Sequence, residues 1–141
     1  MRMSALSATA ALVLATLAGG VAPAAADSPA GPVLRVDLEA GKGLHHNVGT
    51  VLYERVDGEV NAVRILSVYI TGGERDCAWV SWNNPWDGGV WSNLTSEPSC
   101  NGTGLEEHPG QIIKAPAGHP LKVRLAGDHL GEVVHKDIQK L

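Results

Sequence analysis

An all-β fold, an antiparallel β-sandwich or small barrel of about seven to eight short strands with one disulfide, is what this sequence predicts, on three observations. From Val33 onward apolar residues recur with a period of two over most of the chain. Clusters of Gly, Pro, Asn and Asp break that pattern at short intervals. Two cysteines, Cys77 and Cys100, enclose all four tryptophans, Trp79, Trp82, Trp86 and Trp91. The chain has no Phe, and its two tyrosines, Tyr53 and Tyr69, lie outside that segment. Aromatic surface is therefore concentrated in one region.

Residues 1–26 read as a secretory signal peptide. Arg2 is its positive end, an uncharged Ala/Leu/Val-rich stretch follows, and Ala24 and Ala26 supply the small residues a signal peptidase needs. The alanine-heavy leader points to a secreted, bacterial protein. Residues 27–32 (DSPAGP) read as a flexible lead-in, and residues 33–141 as a single β-rich domain.

Within that domain Leu34, Val36 and Leu38 alternate with Arg35, Asp37 and Glu39, the pattern of a half-buried strand. Residues 41–49 form a loop holding His45-His46-Asn47. A strand over 50–56 ends at Asp57-Gly58, a tight-turn pair. Residues 60–71 are the longest strand candidate, with Leu66, Val68 and Ile70 on one face and Ile65, Ser67 and Tyr69 on the other. Gly72-Gly73 stops it. A strand over 76–82, a loop over 83–89 and a return strand over 90–94 form a hairpin. Residues 96–110 read as irregular, 111–114 as a short strand, and Leu121, Val123 and Leu125 mark another strand. Residues 128–140 fit a strand or a helix; Gly131 and the β-branched Val133-Val134 pair favour the strand. Gly127-Asp128 would then be its turn.

Export makes a disulfide permissible, and two cysteines allow one intramolecular pairing, Cys77–Cys100. Closing residues 78–99 in a loop would stabilise the fold by roughly 3 kcal/mol. A tryptophan beside a bridge resembles immunoglobulin-like sandwiches, where a tryptophan covers a buried disulfide. Here Trp79 is two residues from Cys77, and the loop is short for a bridge between two sheets.

Charge excludes some partners. The chain carries 11 Lys and Arg against 15 Asp and Glu, and loss of Arg2 with the leader moves the net charge from −4 to about −5. The basic residues are scattered. Nucleic acid and anionic membrane surfaces both require a positive face, so neither is an expected partner. After the leader no segment has the roughly 20 apolar residues that span a bilayer.

No nucleophile elbow, H-E-x-x-H or phosphate-loop motif is present, so no catalytic residue is assigned and a non-enzymatic role is expected. No cofactor and no metal site is assigned either. His129, Glu132 and His135 form H-x-x-E-x-x-H, but on a strand the glutamate faces away from the histidines. His45-His46 would need Glu106, Glu107 or His108 nearby to hold an ion. Asn83, Asn84 and Asp87 have the oxygen donors calcium takes, but are also ordinary turn residues. Asn93-Leu94-Thr95 and Asn101-Gly102-Thr103 match a glycosylation sequon, which has no role in a bacterial protein.

The tryptophans carry the functional expectation. Alternation puts Cys77, Trp79 and Ser81 on one face and Ala78, Val80 and Trp82 on the other, so the rings cannot all join one core. Trp79, beside the bridge, is expected in the core, and Trp82 and Trp86 at the surface. Flat rings stack on sugars or apolar side chains, and tryptophan is enriched in binding hot spots. A non-catalytic binding or structural module follows, recognising extracellular polysaccharide or a protein through the loop 82–91, with Trp82, Asn83, Asn84, Trp86, Asp87 and Trp91 as ligand-binding residues. The alternative is a disulfide-stabilised inhibitor of an extracellular hydrolase, whose bridged loop enters the enzyme's cleft.

Overall fold

The structure, a computed structural model, describes residues 31–129 and 132–141. The leader 1–26 and most of the lead-in lie outside the described residues. Ten strands run in order: β1 (Leu34–Ala40), β2 (Asn47–Arg55), β3 (Ala62–Thr71), β4 (Cys77–Asn84), β5 (Val90–Asn93), β6 (Ser99–Cys100), β7 (Gly104–Glu107), β8 (Ile112–Lys114), β9 (Lys122–His129) and β10 (Glu132–Lys140). Single 3-10 turns stand at Gly43–His45 and Pro85–Asp87.

Among the described residues these strands form two antiparallel five-stranded sheets and no closed barrel. In the first, β1, β2 and β3 are neighbours, and β7 and β8 divide the far edge of β3. In the second the order is β10, β9, β4, and β5 and β6 divide the far edge of β4. Both inner faces are apolar because period-two alternation sends every second side chain inward. Val51, Ile65, Val68 and Ile70 from the first sheet meet Ala78, Val80, Val123 and Leu125 from the second, all fully buried. Each such aliphatic side chain larger than alanine contributes about 1.5–3 kcal/mol by leaving water.

The segment 96–110 is not wholly irregular. Its two short strands, β6 and β7, cap one end of β4 and one end of β3. The strand reading of the C-terminal segment holds, but Gly127 and Asp128 are not its turn: both lie in β9, paired with His135 and Val133. In β3 the expected faces are also revised. Leu52 pairs with Ser67 and Tyr53 with Ile65, so Leu66 is an extra residue in the ladder. That bulge resets the alternation, and Ile65 joins Val68 and Ile70 in the core.

The disulfide joins Cys77 and Cys100, which are direct cross-strand partners in β4 and β6. It therefore staples neighbouring strands of one sheet and does not cross the sandwich. β4 has 8 residues, and at about 3.3 Å per residue its two ends stand roughly 25 Å apart. The bridge lies at one end and the tryptophan hairpin at the other.

Candidate functional site: the two ends of β4

The hairpin end is built by local turn chemistry. β4 runs to Asn84, and Pro85 opens the 3-10 turn with its φ already set. The Asn84 side-chain oxygen accepts from the Trp86 backbone N–H at 3.1 Å, and its backbone carbonyl accepts from Gly89 N–H at 2.9 Å. Asn83 Nδ2 donates to the Gly89 carbonyl at 2.7 Å. Gly88 and Gly89 both take positive φ, 64° and 80°, which glycine tolerates best. Both asparagine amides are thus engaged inside the turn, which is the mechanical reading of these residues.

That turn presents Trp86, whose ring is 65% exposed. Its indole N–H donates to the Lys114 carbonyl of β8 at 2.9 Å, tying the hairpin of one sheet to the edge of the other. With its donor engaged, the ring offers apolar faces. Asp87 beside it is exposed, as are Val90 on β5, Ile112 on β8 and Val60 in the β2–β3 turn.

Trp79 and Trp82 fall differently from expectation. The alternation is as read, but its sign is reversed. Ala78 and Val80 are the core residues of β4, so Trp82, on their face, packs against the core. Trp79 lies on the outer face with Ser81 and is only half-buried. Trp91, opposite Asn83, shares that outer face. The Arg124 guanidinium stands 4.5 Å over the Trp91 ring, and its Nε donates to Ser81 Oγ at 3.1 Å. Burial of this guanidinium draws its pKa down. Of the six residues expected to bind, Trp86 and Asp87 are the freely exposed ones; Trp82, Asn83, Asn84 and Trp91 are partly buried.

The opposite end gathers groups that no sequence spacing connects. Asp76, immediately before β4, has a fully buried side chain. Its Oδ1 lies 2.5 Å from His45 Nδ1, and its Oδ2 accepts from Asn47 Nδ2 at 3.1 Å. Asn47 is itself fully buried; it also donates to the His45 carbonyl and accepts from Gly73 N–H at 2.7 Å. His129, at the end of β9, brings its Nδ1 to 3.9 Å from Asp76 Oδ1, and its ring stands edge-on to His45 at 4.9 Å. His135 of β10 lies 6.0 Å from the His45 ring and lines, with Gly41, Lys42 and His45, an open cleft at this end.

Burial of the Asp76 carboxyl works to raise its pKa. Hydrogen bonds from His45 and Asn47, and the charges of His45 and His135, outweigh it and hold the group below the usual aspartate range. Gly127 permits the close approach: a Cβ there would overlap the Asn47 amide.

The remaining histidines are not gathered here. His46 pairs with Glu39 at 2.7 Å, and Glu106 lies 3.5 Å from His108. Glu107 accepts from Ser96. His45 is therefore grouped with Asp76 and His129, and not with His46, Glu106, Glu107 or His108. Asp76 read only as a strand start, and His129 only as part of H-x-x-E-x-x-H; sequence carried no signal joining them. No family model, curated protein or solved structure matches this chain.

Proposed function

We propose that this chain is a secreted, non-catalytic binding module of a bacterium, which recognises its ligand through the hairpin end of the sandwich. The observation that carries the reading is Trp86: 65% exposed, yet pinned by its backbone N–H and its indole N–H. A large ring held in place before binding loses little entropy on contact. The leader sequence and the Cys77–Cys100 bridge support export.

A protein ligand fits the surroundings better than polysaccharide. Val60, Val90 and Ile112 are exposed at 72%, 53% and 51%; Val90 is in the hairpin itself, and Ile112 is on β8, whose Lys114 carbonyl holds the Trp86 indole. Aliphatic side chains beside a tryptophan anchor suit an apolar protein surface; a sugar face also needs several polar groups free to orient it, and with Asn83 Nδ2 and Asn84 Oδ1 engaged, Asp87 is the exposed polar side chain of the turn. Inhibition of an extracellular hydrolase is the second reading, favoured by the rigidity of the turn, because a loop that does not move on binding can enter a cleft at low entropic cost.

Tryptophan fluorescence and titration against a panel of secreted hydrolases and insoluble polysaccharides test the proposal. Saturable binding to a protein, lost in Trp86→Ala, is the expected result. Binding to polysaccharide alone moves the ligand class, and ligand binding unchanged by Trp86→Ala rejects the hairpin end.

A further inference from the structure

We propose that His45, Asp76 and His129 bind one divalent late first-row metal ion, with Zn2+ as the probe. One ligand atom from each of the three residues, a ring nitrogen of His45, a ring nitrogen of His129 and a carboxylate oxygen of Asp76, lies within 4.8 Å of the other two. Ligands in a tetrahedral zinc site at about 2.1 Å from the ion stand about 3.4 Å apart. The observed separations from Asp76 Oδ1, 2.5 Å to His45 and 3.9 Å to His129, bracket that value.

Two further observations point to a cation. His129 Nδ1 is shielded from solvent and has no hydrogen-bond partner among the described residues. Buried polar atoms normally have one, and an ion between this nitrogen and the Asp76 carboxylate would satisfy both. Asp76 is a buried carboxylate whose second oxygen is already fixed by the Asn47 amide. Outer hydrogen bonds of this kind orient a ligand so that it meets the metal without reorganising.

The chemistry of the set selects the ion. Two imidazoles and one carboxylate suit zinc and its neighbours, whereas calcium and magnesium take oxygen donors. On binding, His45 exchanges its hydrogen bond to Asp76 for a bond to the ion. Its ring then carries the proton on Nε2. Three protein ligands leave a position for water, the pattern of an open site. The cleft bordered by Gly41, Lys42 and His135 provides the entry.

Tag-free protein, stripped with a chelator and titrated with Zn2+ by calorimetry, tests the proposal. The expected result is one ion per chain, with affinity reduced at least about tenfold in His129→Ala and in His45→Ala. A His46→Ala/His108→Ala/His119→Ala variant should bind as the parent does. Because His45→Ala also disturbs the Asp76 network, crystals soaked in Zn2+ provide an independent arm: an anomalous peak among the three donor atoms is expected. Absence of saturable binding by the parent, binding that survives His129→Ala, or a peak elsewhere overturns the proposal.

Discussion

At the start of β4, Asp76, Asn47, His45 and His129 come from separate strands and loops and turn their polar groups inward. At its end, residues 83–89 arrange themselves almost entirely among themselves and turn an apolar ring outward. The first end is a tertiary construction, in which each polar group depends on a partner far away in sequence. The second is a local one, in which proline, glycine and two asparagines settle the shape. The two should therefore respond differently to substitution: the histidine end through stability, the hairpin end through binding.

The largest expected effect is Asn47→Ala. It leaves Gly73 N–H and one oxygen of a buried carboxylate without partners, and should lower unfolding free energy by about 4 kcal/mol in urea denaturation. A loss below about 1 kcal/mol would mean that water replaces the amide and that this end is not tightly built. The same network sets an acid limit. Asp76 has a depressed pKa in the folded state, so its contribution is fully present above the ordinary aspartate value of 3.8 and is lost as pH falls through the lower folded value. Urea midpoints measured from pH 6 down to pH 2 should fall less steeply in Asp76→Asn than in the parent.

Removing the bridge with Cys77→Ala and Cys100→Ala should cost about 3 kcal/mol, from loop entropy restored to the unfolded chain. Since the bridge sits at the histidine end, hydrogen exchange should quicken at β6 and Asp76 before it does at the hairpin. Uniform quickening would erase the distinction between the two ends. Gly127→Ala should cost about 2 kcal/mol, because its Cβ would displace the Asn47 amide. The smallest change in stability belongs to Trp86→Ala, about 0.5 kcal/mol, since most of the ring is already in water. A thermal shift far larger than this would make Trp86 a structural clasp between the sheets, through its bond to Lys114.

The sequence by itself determined the all-β class, the places of most strands and the Cys77–Cys100 pairing. Period-two patterning and turn residues act within a few positions, and two cysteines in one chain leave a single intramolecular choice. It also placed Trp86 at an exposed tip, because Pro85 and Gly88-Gly89 write that turn locally. Strand parity was legible too: Trp79 and Trp82 do point in opposite directions. Which direction is inward was decided by the first sheet, which packs on Ala78 and Val80 and makes Trp82 the ring that joins the core. The Leu66 bulge, the short strands β6 and β7, and the meeting of His45, Asp76 and His129 likewise came only with tertiary structure. Each depends on the register between strands distant in sequence, and no local period or spacing encodes a register.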